Sequence, residues 1–123
     1  MPTGKLLVVE DKGRKDDVLQ WQVKHWLRVE KELNAAADAG FAMAMRPVIV
    51  TTTNFALTEF TEYFYAPMET VRSGAKPHYK TVQANSLPLL SQMVNKAEAD
   101  GWTMVPGALY GDQVAILEQE VKP

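Results

Sequence analysis

Two stretches of the chain carry apolar residues at helical spacing, and each stretch ends at a glycine. The apolar stripes are Trp26, Val29, Leu33 and Ala36 or Ala37 in the first half, and Leu90, Met93, Val94 and Ala97 in the second. Residues at i, i+3, i+4 and i+7 lie on one face of a helix. Ser86 is a candidate N-cap, and Gly40 and Gly101 stand where a left-handed residue ends a helix. The pattern predicts two amphipathic helices.

Alternation of apolar and polar residues predicts the strands, because successive side chains of a strand point to opposite faces. The predicted strands are residues 5–9, 18–22, 41–46, 55–65, 79–84 and 114–121. The alternation breaks near Phe60, which predicts a β-bulge there. Residues 12–17 are predicted to form a solvated turn, because charges of both signs follow one another there, next to Asp11. Residues 51–54 predict a plain turn between two strands.

One segment of the chain is nearly repeated 61 positions later. "LNAAADAGFAM" at 33–43 matches "VNKAEADGWTM" at 94–104 without a gap, and 18–22 matches 79–83 weakly. Alanine-rich helix ends can coincide by chance, but the shared spacing favours an internal duplication of a strand-helix-strand-strand unit. The prediction is one α+β domain over 1–123, with repeats at 18–65 and 79–121 and a linker at 66–78. We expect one mostly antiparallel sheet with both helices on one face.

Composition limits the function without assigning it. The 123 residues are 46% hydrophobic and include no cysteine, so disulfides and thiolate metal sites are excluded. The net charge of −2 argues against broad duplex nucleic-acid binding, which depends on many phosphate contacts. No apolar run approaches the length of a membrane span, and no signal peptide is evident. We therefore expect a cytoplasmic protein.

A resemblance to a known group of domains rests on the second half. The matching residues are Tyr79, Lys80, Val82, Val94, Asn95, Gly101, Trp102, Gln113 and Ala115. The segment resembles small uncharacterised domains of bacteria and their phages. The shared pattern is Tyr-Lys-x-Val, then Val-Asn, Gly-Trp and Gln-x-Ala. The resemblance implies a phage-encoded accessory protein in the host cytoplasm and supplies no catalytic residues. The first half departs from it, with Val18 at the place of Tyr79 and Phe41 at that of Trp102.

The two histidines, His25 and His78, are candidate general bases if a carboxylate lies nearby. His25 is expected at a strand-to-helix junction and His78 in the linker. Their separation does not match a metal-binding motif, and the chain contains no phosphate-binding loop, dinucleotide fingerprint or nucleophile elbow. No cofactor is predicted.

One segment, "VRSGAKPHYK", concentrates positive charge around glycine and serine amides. Its basic residues are Arg72, Lys76, His78 and Lys80. Such a loop can bind a phosphate or a carboxylate, and it can equally be a solvated linker.

Aromatic residues are concentrated in the first half. Because neighbours on a strand face opposite ways, at least one of Tyr63, Phe64 and Tyr65 must point outward. We expect this aromatic surface to form a homodimer interface unless the helices cover it. Trp102 is expected in the core.

These observations favour a non-enzymatic binding protein that occludes a protein partner or sequesters a small anionic, nucleotide-like ligand. The alternatives are a small enzyme that uses His25 or His78 with a carboxylate, and a structural subunit of a larger particle.

Overall fold

The computed structural model describes residues 4–71, 76–110 and 114–121. The strands are β1 (Gly4–Arg14), β2 (Phe41–Met43), β3 (Val48–Thr53), β4 (Glu59–Thr70), β5 (Lys76–Gln83), β6 (Thr103–Tyr110) and β7 (Val114–Val121). The helices are α1 (Val18–Asp38) and α2 (Leu87–Ala99), and a single 3₁₀ turn at Lys15–Asp17 leads into α1. The fold is α+β, as the sequence predicts.

The strands form two antiparallel sheets instead of the single sheet predicted. In the first sheet, β4 is central, with β1 on one side and β2 and β3 on the other. In the second sheet, β7 is central between β5 and β6. The β1–β4 ladder runs without a break from Gly4 opposite Glu69 to Arg14 opposite Glu59, so the bulge predicted near Phe60 is wrong. The register shift occurs instead in β6, between Met104 and Leu109.

Helix α1 packs in a core shared by the two sheets. Its buried residues Trp26, Val29 and Leu33 meet Phe64 of the first sheet and Ile116 of the second. Ala115 and Leu117 face the other side of the second sheet, where α2 packs on them with Leu90, Val94 and Ala97. The two helices therefore lie on opposite faces of the second sheet, not together on one face as predicted. The described residues cover the first sheet only on the face toward α1.

Side chains of α1 also cover the free edge of β5. Asn34 donates its amide N–H to the Tyr79 carbonyl at 2.9 Å and accepts from the Tyr79 N–H at 2.7 Å. Glu30 accepts from the Thr81 N–H at 2.7 Å. These bonds satisfy backbone groups that an edge strand would otherwise expose to another chain. They fix α1 against the second sheet.

Tyr79 joins the second sheet to the first. Its ring is buried, and its hydroxyl oxygen accepts a hydrogen bond from the Met43 N–H at 2.9 Å. Burial raises the pKa of Tyr79 to about 12, although the Met43 N–H opposes the shift.

Both helices end as the glycines predict. Gly40 and Gly101 have φ of +94° and +96°, in the left-handed region. The Ser86 hydroxyl accepts from the Leu89 N–H at 3.3 Å, which confirms the predicted N-cap of α2. Trp102, expected in the core, is only partly buried against the cluster beneath α2.

Several segments differ from their sequence-based assignments. Residues 51–53 of the predicted turn at 51–54 are the end of β3, and residues 55–58, predicted as the start of a strand, form the turn before β4. Residues 18–22, predicted as a strand, form the first turns of α1, because Trp21 and Val18 extend the helical spacing of His25 and Val29. Residues 12–14 of the predicted turn continue β1. Within the predicted linker at 66–78, the described residues 66–70 and 76–78 belong to strands, since β4 continues to Thr70 and β5 begins at Lys76.

Candidate functional site

Two carboxylates face each other on the inner side of the first sheet. Asp11 of β1 lies directly opposite Glu62 of β4 in the ladder, and both side chains point toward α1. Like charges at opposing positions of a sheet repel each other and destabilise it. The helix supplies positively charged or donor groups at this point, from His25 and Arg28.

His25 lies between the two carboxylates. Its Nδ1 is 2.7 Å from Asp11 Oδ2, and its Nε2 is 3.4 Å from Glu62 Oε2. The imidazole is fully buried and Glu62 is 7% exposed. An imidazolium here would donate from both nitrogens, which matches an acceptor on each side of the ring.

Arg28 completes the cluster on the side of β1. Its guanidinium donates to Asp11 Oδ1, and also to the Glu10 carbonyl oxygen at 2.8 Å. Asp11 is thus held by both His25 and Arg28. Charged groups are stable in the interior only when they are paired and hydrogen-bonded, and this network provides that pairing.

Two aromatic rings continue from the cluster toward the surface. Trp21 stacks on His25 with ring centroids 4.7 Å apart and planes 9° apart. Phe60 meets the Trp21 ring edge-on at 4.6 Å. The Nε1 atom of Trp21 is buried, and no hydrogen-bond partner for it is found among the described residues.

A cavity of about 370 Å³ opens beside these rings, between the start of α1 and strands β3 and β4. It is lined by Lys15, Val18, Trp21, Gln22, Thr51, Thr53, Phe60 and Glu62. A volume in this range suits a small molecule. The wall combines aromatic surface, hydroxyl groups, the Gln22 amide, the exposed Lys15 side chain and one nearly buried carboxylate, that of Glu62. A second cavity of about 270 Å³ lies beside Trp21, near the 3₁₀ turn, and has a more charged lining.

The predicted basic site is only partly assembled. His78 and Lys80 lie on one face of β5 beside Trp102, with the His78 and Trp102 ring centroids 5.6 Å apart and Lys80 Nζ 5.3 Å from the Trp102 ring. Lys76 Nζ is 3.8 Å from Asp38 Oδ1. Arg72 lies outside the described residues. His78 is in β5, not in a linker, and His25 is within α1, not at a strand-to-helix junction.

The three predicted interface residues divide between the two faces of β4. Phe64 is fully buried in the core, whereas Tyr63 and Tyr65 are partly exposed on the outer face, with ring centroids 5.9 Å apart. The pKa of Tyr63 is raised mainly by the negative charge of Glu10. Burial, the side-chain hydrogen bond to Glu10 and the charge of Tyr65 raise it further, in that order.

Sequence analysis missed Asp11, Glu62 and Trp21 as site residues. The detectable signal was the parity of β4, since Glu62 lies two residues from both Phe60 and Phe64 and must share their inward face. An acid at an inward position requires a buried partner. His25 follows Trp21 by four residues, which places the two on one face of a helix.

Comparison with protein-family models, curated proteins and solved structures finds no match for this chain. Among the described residues, no group of three metal-ligating side chains is arranged to hold a metal ion, the His25 cluster included. The described helices are too short or too polar to cross a membrane.

Proposed function

We propose that the protein is a non-enzymatic binding protein that holds a small molecule in the cavity beside Trp21. The observation that carries this proposal is the joint lining of one cavity by the Trp21–Phe60 aromatic pair and the Glu62 carboxylate. An apolar wall with a few fixed polar groups is the usual composition of a small-molecule site.

The chemistry of the lining selects the class of ligand. An ionised carboxylate only accepts hydrogen bonds, so the group that contacts Glu62 must be a donor, and a cationic donor binds most strongly. The aromatic pair favours a flat apolar body, and aromatic faces also attract cations. The expected ligand is a small aromatic or apolar molecule that bears an amine or an amidine.

The buried cluster preorganises this site. His25 contacts Glu62 on one side and Asp11 on the other, and Trp21 stacks on the imidazole. A ligand would therefore meet a carboxylate and an indole whose orientations are already set. Preorganisation lowers the entropy cost of binding.

The small-enzyme alternative is less well supported. The His25 side chain has no exposed surface, so it does not reach a substrate in the cavity. Any acid–base chemistry there would have to act through Glu62, with His25 as its positioning residue.

Nuclear magnetic resonance with two matched probes tests the proposal. Tryptamine and indole-3-acetate share an indole but carry opposite charges. We expect tryptamine to shift the Trp21 indole N–H resonance saturably, and indole-3-acetate to leave it in place. Trp21→Phe identifies this resonance among those of the three tryptophans.

Glu62→Gln is the matched variant, because it keeps the shape and removes the charge. Loss of a charge-assisted hydrogen bond should weaken tryptamine binding about tenfold or more. Absence of any shift, or equal affinity in Glu62→Gln, would contradict the proposal. Thermal melting of the variant shows whether the fold is retained.

The basic face of β5 supports a second candidate, the capture of a small anionic ligand. His78 and Lys80 lie against Trp102, so an aromatic surface and positive charge occur together as a nucleotide would require. Calorimetric titration with a nucleotide should give heat that falls with salt and is lost in Lys80→Ala. No heat from the parent protein would remove this candidate.

A further inference from the structure

The outer face of the first sheet carries a continuous apolar surface. It is formed by Leu6 and Val8 of β1, Val48 and Val50 of β3, and Tyr63 and Tyr65 of β4. We call these six residues the outer apolar face. Its four aliphatic side chains are 42–56% exposed. No described element of the chain covers it.

The register makes this surface contiguous. Val8, Tyr65 and Val48 lie side by side across three neighbouring strands, and Tyr63 and Val50 lie side by side in the next row. Isolated apolar residues are common on protein surfaces, but contiguous patches rimmed by polar groups mark interaction sites. Tyrosine is also enriched at the centres of interfaces.

The charges at the ends of the surface identify its occupant. Exposed Lys12 lies opposite Thr61 at one end, and exposed Glu69 lies opposite Gly4 at the other. At about 3.4 Å per residue, these ends are roughly 27 Å apart along the strands. In the row beyond Lys12, exposed Arg14 lies opposite exposed Glu59, so Lys12 supplies the net positive charge of that end. Glu69 makes the other end acidic, and the surface between the two ends is mainly apolar.

We propose that the outer apolar face binds the same face of a second copy of this chain. The two copies are related by a twofold axis that runs perpendicular to the strands, in the plane midway between the two facing copies of the first sheet. This axis brings Lys12 of each copy opposite Glu69 of the other copy, so two symmetry-related pairs of opposite charge form. The midpoint between the two ends is the row of Val8, Tyr65 and Val48, which then packs on its own symmetry mate. An axis parallel to the strands would instead place like ends together.

One charged residue, Glu10, lies within the surface and must be accommodated when it is covered. It stands opposite Tyr63 on the same face, and the two side chains are hydrogen-bonded. A buried polar group is tolerated when it keeps such a partner. The association of two copies leaves this hydrogen bond in place.

Sedimentation velocity at micromolar concentration tests the assembly. The parent should sediment as a dimer of the 13.7 kDa chain, and Tyr65→Lys should sediment as a monomer. Val23→Lys is the control, because Val23 is an exposed apolar residue on α1, away from this face. It should leave the dimer intact. Circular dichroism checks that each variant is folded.

A charge exchange tests the orientation of the twofold axis. Lys12→Glu and Glu69→Lys, each alone, should weaken the dimer about tenfold by juxtaposing like charges. The double variant should recover the parent dissociation constant within about threefold. Failure of this recovery overturns the proposed axis. A monomeric parent at 100 μM, or dissociation by Val23→Lys and not by Tyr65→Lys, overturns the interface itself.

Discussion

The two helices end in the same way but hold the molecule together differently. Gly40 and Gly101 close α1 and α2 with nearly the same positive φ. The 21-residue α1 lies in the core between the two sheets, whereas the 13-residue α2 covers one face of the second sheet. One short sequence pattern thus specifies how a helix ends, and the surrounding strands determine what the helix does.

The asparagines of the repeated segment show the difference most clearly. Asn34 makes two hydrogen bonds to the edge of β5, whereas Asn95, its counterpart in the alignment, is exposed. The element orders differ: three strands, β2, β3 and β4, follow α1 in the first half, whereas two strands, β6 and β7, follow α2 in the second. The last strand is central in each sheet. The gap-free alignment nevertheless places residues 18–22 of α1 on residues 79–83 of β5. The duplication itself stays a prediction.

The largest expected difference between the halves concerns their tryptophans. Trp26 of α1 is fully buried between the sheets, and Trp102 after α2 is only partly buried. Trp26→Ala should cost about 3–5 kcal/mol of unfolding free energy, because it removes a large core side chain and leaves a cavity. Trp102→Ala should cost clearly less.

Urea denaturation of both variants measures this difference. The two phenylalanine substitutions serve as controls that keep most of the apolar volume. Equal losses for Trp26→Ala and Trp102→Ala would show that the halves bury their aromatics to the same depth.

The asparagines give a smaller difference. Asn34→Ala leaves the Tyr79 N–H and C=O without their side-chain partners, at an expected cost of about 1–3 kcal/mol. Asn95→Ala alters an exposed position and should change stability by less than about 0.5 kcal/mol. Chemical denaturation gives both values. Hydrogen exchange should accelerate at the Tyr79 amide in Asn34→Ala alone, and an unchanged rate there would contradict the edge-covering role of α1.

The helix-ending glycines should respond nearly alike. Gly40→Ala and Gly101→Ala each force alanine into positive φ, at a cost of about 1 kcal/mol. Space around Gly40 is open, whereas a Cβ at Gly101 would lie 3.0 Å from Gln119 Nε2. We therefore expect Gly101→Ala to melt slightly lower. A neutral effect at either position would show that its backbone relaxes out of the left-handed region.

The features that the sequence predicts correctly are local. The glycine exits, the Ser86 cap and the stripe of Leu90, Val94 and Ala97 each depend on residues within two turns of one helix. Residues 18–22 fail because a five-residue run fits both the helical and the strand period. The division into two sheets and the meeting of Asp11 with Glu62 depend on strand pairing between distant segments, which no local pattern specifies.

The smallest effect concerns a carboxylate in the second half. The central strand of each sheet carries a partly or fully buried acid, Glu62 in β4 and Glu118 in β7. Glu62 faces His25, whereas burial, and then the nearby charge of Glu120, raise the pKa of Glu118 above its usual 4.5. The native state thus holds the Glu118 proton more tightly than the unfolded chain does. The contribution of this group to stability is full below about pH 4.5 and is lost as the pH rises through the native value.

Glu118→Gln should therefore become more stable relative to the parent as the pH rises from 4 to 7. We expect this gain to be smaller than the stability changes predicted for the variants above. Melting curves across this range measure the gain, and Glu120→Gln should reproduce only the part of it that arises from charge repulsion. Burial is the larger cause of the shift, so most of the gain should belong to Glu118→Gln. A constant difference in melting temperature between pH 4 and pH 7 would contradict a raised pKa at Glu118. It would also remove the contrast between Glu62, which contacts His25, and Glu118, which lies near the like charge of Glu120.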